Sequence, residues 1–362
     1  MSEGERSERQ AGAAGTDLDE LVAQSDTGAR APTGMVAKAL FAVALAWSLF
    51  QLWIASPLPF MVGFGVFNDT EARSIHLAFA IFLAFTAYPA FKNSPKDYIP
   101  VQDWVLAVVG AFAAAYLYLF YVSISDRPGA PIAQDYVVAV IGMILLLEAT
   151  RRSLGPPLMT IAIIFLVYTF FGQYMPSIIA HKGNTLGEVV NHHWITTEGV
   201  FGIALGVSTS FVFLFVLFGS LLDKGGAGNY FIQVAFSLMG HMRGGPAKAA
   251  VVSSAMTGLI SGSSIANVVT TGTFTIPLMK KVGFSSEKAG AVEVASSVNG
   301  QIMPPVMGAA AFLMVEYVGI PYFDVVKHAF LPALISYIAL VYIVHLEALK
   351  AGMEGLPRAY EP

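Results

Sequence analysis

Cysteine is absent from the 362-residue chain, and charge is scarce: Asp, Glu, Lys and Arg make up 12% of it, against roughly 25% in a soluble globular domain. The first absence excludes disulfide scaffolds, thiolate metal sites and cysteine nucleophiles. The net charge is −4 and no basic block occurs, which argues against nucleic-acid binding. The N-terminus lacks a basic stretch followed directly by an apolar run and a small-residue cleavage site, so it is not read as a cleaved signal peptide. The first apolar run is expected to act as an uncleaved anchor. A His-Glu-x-x-His pattern is also missing, and His241 and His345 stand alone. An intramembrane enzyme therefore has no nucleophile–base pair or metal set to work with.

Apolar residues, by contrast, make up 56% of the chain, and the mean hydropathy is +0.65. Runs of about 20 apolar residues, enough to cross a hydrocarbon core of ~30 Å, recur along it. The expected fold is an all-α polytopic membrane protein embedded in the lipid bilayer. Residues 1–34 hold seven acids and three arginines among Gly, Ala and Ser; they bury too little to offset ordering entropy and are expected to form a disordered tail. About eight transmembrane helices are expected, near 36–56, 75–91, 101–122, 135–150, 157–174, 197–222, 286–319 and 324–347.

The stretch 247–279 fits none of these. At 33 residues it is too long for one upright helix rising 1.5 Å per residue, and Ser261-Gly262-Ser263-Ser264 interrupts its middle. Two half-helices meeting at a tip, a re-entrant hairpin, are expected. Charge agrees, since Lys and Arg collect on the cytoplasmic side of short loops. With both termini cytoplasmic and the hairpin not crossing, 16 of the Lys and Arg residues lie inside and only Arg73, Arg127, Lys182 and Lys327 outside. Counting 247–279 as a crossing gives 11 against 9.

Within the hairpin, Ser253, Thr257 and Ser261 recur every four residues, as do Asn267, Thr271 and Thr275 beyond the tip, so each half carries one polar stripe. Gly258, Gly262 and Gly272 add close-approach positions. Irregular backbone at membrane depth is tolerated only inside protein or beside a wet cavity. Small residues also serve plain helix packing in membranes, and the stripe alone does not separate the two uses. The next span supplies the distinction. It contains Ser296-Ser297-Val298-Asn299-Gly300-Gln301-Ile302-Met303-Pro304-Pro305, and the two prolines withhold the hydrogen bonds that the Gly300 and Gln301 carbonyls accept in a continuous helix. A break is expected there, with Pro304 starting the second half. Freed carbonyls beside hydroxyls and an amide make a neutral oxygen cage suited to Na⁺, while the lack of an acidic cluster disfavours Ca²⁺ or Mg²⁺. Paired broken elements are a signature of secondary transporters.

The run Gly258-Leu-Ile-Ser-Gly-Ser-Ser-Ile-Ala-Asn267, followed by Thr275-Ile-Pro-Leu-Met-Lys-Lys-Val-Gly-Phe284 and Gly300-Gln-Ile-Met-Pro-Pro305, resembles the large membrane subunit of tripartite ATP-independent periplasmic (TRAP) transporters. The first four spans resemble the small four-helix subunit fused ahead of it, as in the TAXI branch. The resemblance implies an elevator-type, sodium-driven importer of organic acids or amino acids in the inner membrane, loaded by a periplasmic solute-binding protein. It divides the chain into a cytoplasmic tail (1–34), a small-subunit-like domain (35–152), scaffold helices (153–246), a transport core (247–322) and a final helix with a cytoplasmic end (323–362). By position it assigns the sodium region to Ser261, Ser263, Ser264 and Asn267 at the tip and to Asn299, Gly300 and Gln301 at the facing break. Gly262, Pro304 and Pro305 mark the helix breaks, and Thr271, Glu293 and Ser297 are expected to face the substrate. Two departures stand out: Val306 replaces a serine that often follows the double proline, and the family's second, inverted half has no counterpart before Pro362. Either the chain is a truncated permease half or another chain supplies the second repeat. A non-transporting scaffold is the alternative reading.

Several further residues carry expectations. Glu148 precedes Arg151 and Arg152 by three and four positions, spacing for a helix-end ion pair. Glu293 admits a transport role or a paired, interfacial one, and Glu316 is expected at the outer interface. His181, His192 and His193 share the outer loop 175–196 with Glu188; no transition-metal site is expected there, and docking of a soluble partner or plain connection are both open. Asp103 is expected to help cap the third span, and Trp47, Trp53, Trp104 and Trp194 to form interfacial belts. No cofactor is expected beyond Na⁺ as coupling ion.

Overall fold

The computed structural model describes residues 29–30, 32–91 and 93–356. The expected disordered tail therefore lies almost wholly outside the described residues. Among those described, regular structure is helical throughout, with no strand. Among the described residues, five stretches are long and apolar enough to cross a membrane: Gly34–Ala55, Val101–Leu119, Pro156–Tyr174, Ile203–Lys224 and Tyr322–Lys350. The described residues fall into two compact units, within Thr27–Ser210 and within Phe211–Pro362. The boundary coincides with a π turn at Ser208–Val212, so position 152, the expected edge of the small-subunit-like domain, lies inside the first unit.

The first unit contains α1 (Gly34–Ala55), α2 (Asp69–Ala87), α3 (Val101–Leu119), α4 (Ala133–Leu154) and α5 (Pro156–Phe171). Asn68 starts α2 by accepting the Glu71 N–H at 2.9 Å while the Glu71 carboxylate accepts the Asn68 N–H at 3.0 Å, a reciprocal cap. Ile81 and Phe85 on α2, Ala107, Ala114 and Leu117 on α3, and Ala139 and Leu145 on α4 form the core. Trp194 joins them. It is fully buried and donates to the Ala113 carbonyl at 3.1 Å, which corrects the expectation of an interfacial belt residue. The ring lies over Gly142, where an added Cβ atom would stand 2.2 Å from it; only glycine admits an indole at that place.

Asp103 is likewise not a helix cap. It is buried and receives Arg30 at 2.5 Å and Arg152 at 2.8 Å. Arg151 and Arg152 also reach Glu148, each at 2.7 Å, which is the expected helix-end pair extended into a network. A second buried acid, Asp135, accepts from Arg127, from the Tyr116 hydroxyl at 2.6 Å and from the Ile132 N–H at 2.8 Å. Buried charge is tolerated when paired and hydrogen-bonded in this way.

The second unit contains α6 (Phe213–Lys224), α7 (Ala227–Met239), α8 (Gly245–Gly258), α9 (Ser264–Lys281), α10 (Ser286–Asn299), α11 (Ala309–Val318) and α12 (Tyr322–Lys350). Helix α8 is the centre, buried along most of its length. Its small residues Ala247 and Ala250 meet Met279, Ala289 and Tyr337 of the surrounding helices. Helices α8 and α9 are two pieces meeting at a tip over 259–263, as their serine- and glycine-rich junction predicts. Ser263 opens α9 by accepting the Ala266 N–H at 3.2 Å.

The break after α10 differs from expectation in one respect. The second piece begins at Ala309 and not at Pro304. Between them a tight turn, Gly300–Ile302, is followed by Met307 at φ 54. This left-handed backbone cannot continue a right-handed helix, so α11 starts only after Gly308.

Candidate functional site

The hairpin tip rests directly on the broken segment. A Cβ atom at Gly258 would stand 2.8 Å from the Gly300 Cα, and one at Gly262 would stand 1.8 Å from the Met307 carbonyl oxygen. Backbone therefore meets backbone, and the glycines are required by proximity. Beside this contact lies a cavity of about 480 Å³. Thr257, Ser261, Ser263 and Asn267 of the hairpin, Met307 and Gly308 of the break, and Ser220 and Asp223 of α6 contribute to its wall.

Two oxygens on this wall have no hydrogen-bond partner although buried, Thr257 Oγ1 and Asn267 Oδ1. The amide nitrogen of Asn267 is committed to the Ser254 carbonyl at 3.0 Å, so its oxygen is the end left over. A buried, unsatisfied acceptor costs about 1–3 kcal/mol, a debt that a bound cation or donor relieves.

The residues assigned to the sodium region do not all converge. Ser261, Ser263 and Asn267 line the cavity with the Gly262 break between them. Ser264 instead accepts from Gln301 Nε2 at 2.9 Å, joining tip to break. Asn299 turns away and donates to Ser336 Oγ on α12 at 2.7 Å. The carbonyls expected to be free have partners: Met303 N–H donates to the Gly300 oxygen at 3.1 Å, and Gly308 N–H to the Gln301 oxygen at 2.7 Å. The tight turn recaptures what the prolines release. Pro304 is buried and Pro305 is exposed, with the Pro305 carbonyl accepting the Tyr322 hydroxyl at 2.5 Å.

Thr271, Glu293 and Ser297, expected to face the substrate, instead face one another. Glu293 is fully buried and accepts from Thr271 and Thr275, and from Ser297 at 3.3 Å and Ser254 at 3.5 Å. None of these five lines the cavity. The reading from sequence missed Ser254 and gave Thr257 no ligand role. Ser254 sits one residue off the four-residue stripe, about 100° round the helix, where periodicity gives no signal.

In the short helix Leu186–Val190, Glu188 accepts from the Thr185 N–H at 2.7 Å and hydroxyl at 2.9 Å, which holds its carboxyl below the ordinary range. Burial, with His192 alongside, pushes the His193 imidazole down. His192 meets Glu198 at 3.0 Å. Among the described residues no group of three or more His, Asp or Glu is placed to hold a metal ion.

Helices of this length and apolarity, with a helical hairpin closed onto a broken helix, define an integral membrane protein of the permease class. Residues 141–362 match the family model described as "Tripartite ATP-independent periplasmic transporter, DctM component", and the chain belongs to that family. It is 30% identical over 143 residues to the uncharacterized protein y4mL of Sinorhizobium fredii, covering 40% of this chain and 34% of that protein. It is 37% identical over 91 residues to the C4-dicarboxylate TRAP transporter large permease protein DctM of Vibrio cholerae, covering 25% and 20%. It is 32% identical over 95 residues to the ectoine TRAP transporter large permease protein TeaC of Halomonas elongata, covering 26% and 22%. The matched region thus spans between about a fifth and a third of the length of these relatives.

Proposed function

We propose that the chain is the membrane permease component of a sodium-coupled secondary transporter, importing small organic acids or amino acids delivered by a periplasmic binding protein. In this reading α8 and α9 form a re-entrant hairpin, about eight helices cross the inner membrane, and both termini are cytoplasmic. Residues 35–152 play the part of a fused small subunit of the TAXI type, and the core moves as an elevator. A further chain carrying the second repeat belongs to the same proposal.

The observation that carries the reading is the pair of unpartnered oxygens, Thr257 Oγ1 and Asn267 Oδ1, on the cavity wall where tip meets break. Oxygen donors suit a hard cation, the Asp223 carboxylate on the same wall adds negative charge, and paired interruptions suit a transporter's coupling site. Ser261 and Ser263 add hydroxyls to the same wall. Relatives named for C4-dicarboxylate and ectoine support a small charged or zwitterionic cargo.

The test is thermal stability of the detergent-purified chain in sodium or potassium chloride. Sodium at about 100 times its Kd stabilises by about 2.7 kcal/mol. Thr257→Val and Ser261→Ala are expected to diminish the response, and equal stabilisation by both salts contradicts the sodium site.

A further inference from the structure

Glu293 is fully buried between α8, α9 and its own helix α10, and all four of its side-chain hydrogen-bond partners are hydroxyls. An isolated buried carboxylate is costly unless paired or neutralised. Among the described residues no cation lies within ion-pair distance of it. Lys248 on α8 is six residues from Ser254, about 9 Å along the axis at 1.5 Å per residue. Lys280 and Lys281 lie at the end of α9. On α10 itself Glu287 is in the first turn, and Lys288 pairs with Glu347 of α12. Elsewhere on α12, the Tyr337 hydroxyl donates to the Ser296 carbonyl at 3.1 Å, and Asp324 pairs with Lys327 at 3.2 Å. His328, Tyr342, His345 and Lys350 make no hydrogen bond to Glu293.

The cage accommodates both charge states of the acid. When Glu293 is ionised, Ser254, Thr271, Thr275 and Ser297 each donate one hydrogen to its oxygens. When it is protonated, its own O–H donates to a threonine hydroxyl, which must then direct its hydrogen elsewhere. Thr271 has that outlet: its Oγ1 is 2.8 Å from the Asn267 carbonyl oxygen. A hydroxyl is both donor and acceptor, so the exchange needs only rotation of O–H bonds. Gly272 packs close beneath, where an added Cβ atom would stand 3.1 Å from Glu293 Cγ. The hydroxyls bond the carboxyl directly, with no other group between them.

We propose that Glu293 is a proton-binding site, taking up and releasing one proton within the hydroxyl cage of α8, α9 and α10. On uptake an Oε–H bond forms with a proton from water and the charge goes from −1 to zero. On release that bond breaks, and no electrons are exchanged. The proposal stands on the contacts of Glu293 and is independent of the sodium reading.

The experiment is pH-difference infrared spectroscopy of the full chain in detergent, with choline as the only added cation. The wild type is expected to show the carbonyl stretch of a protonated carboxylic acid that disappears on raising the pH and is missing from Glu293→Gln. Thr275→Val removes one donor to the ionised form, so it is expected to tighten proton binding about tenfold, as loss of a hydrogen bond to a charged group implies. A band unchanged in Glu293→Gln, or no titrating band between about pH 4 and about pH 10, well to either side of an ordinary or buried carboxyl, overturns the proposal. So does a midpoint indifferent to Thr275→Val.

Discussion

At the residue scale, glycine does the work usually credited to larger side chains. Gly262 lets the tip touch the Met307 carbonyl, whereas Gly290 on α10 has nothing within 4 Å of an added Cβ. The two are expected to respond oppositely to alanine. Gly262→Ala forces backbones apart and costs about 1–3 kcal/mol. Gly290→Ala is expected to gain about 0.5–1 kcal/mol from lower unfolded-chain entropy and better helix propensity. Thermal melts of the two variants against the wild type check the pair, and a stable Gly262→Ala protein contradicts the close contact. The sequence marked Gly258 and Gly262 as close-approach positions but not what they approach, because Gly300 and Met307 lie some forty residues on and no period links them. Buried polar residues were legible in the same partial way. Thr271, Glu293 and Ser297 were singled out, yet their mutual bonding depends on how three helices are rotated. Asp103 and Arg30 are 73 positions apart, and nothing local in either announces the pair.

At the element scale, interruptions were easier to read than continuities. A serine–glycine cluster in an overlong apolar run and a double proline each break a helix for reasons internal to the chain. Both breaks are present. Where the next piece begins was not legible, since it is set by the left-handed Met307 and the hydrogen bonds of the tight turn. The short helix Leu186–Val190 has its own local logic in the Thr185–Glu188 cap. Thr185 holds the Glu188 carboxyl below its ordinary range, so the folded form binds its proton less readily than the unfolded one. The cap's contribution is therefore complete above the unfolded carboxyl range, about pH 4.3, and is lost as pH falls through the depressed folded value. Protection of the Thr185 amide, which donates to this carboxylate, is expected to fall over that acid window in the wild type when exchange is referred to the intrinsic rate at each pH. Glu188→Gln is expected to show no such step; the same step in both proteins contradicts the link to this carboxyl.

At the scale of the whole molecule, composition sufficed for class: apolar helices and sparse charge point to the bilayer, and among the described residues the regular structure is helical. The grouping of helices was less accessible. Residues 153–210 were expected to belong with the later scaffold, yet Trp194 and Phe201 enter the first unit's core, a contact that hydropathy does not encode. Orientation has a direct check, because the chain has no cysteine of its own. Single substitutions Lys281→Cys and Lys182→Cys report sidedness when labelled by a membrane-impermeant thiol reagent. The charge distribution predicts labelling of the first from the cytoplasmic face only and of the second from the opposite face only. The reverse pattern contradicts the proposed topology.

Under the proposed function, the contact between Gly262 and Met307 bears on how a cargo would reach the cavity beside it. A hinged flap needs slack at its edge, and this edge is wedged, peptide against peptide, with Ser264 and Gln301 clasped alongside. In the proposed permease the hairpin end and the loop beneath it are therefore expected to travel together, as a floor and a wall cast in one piece.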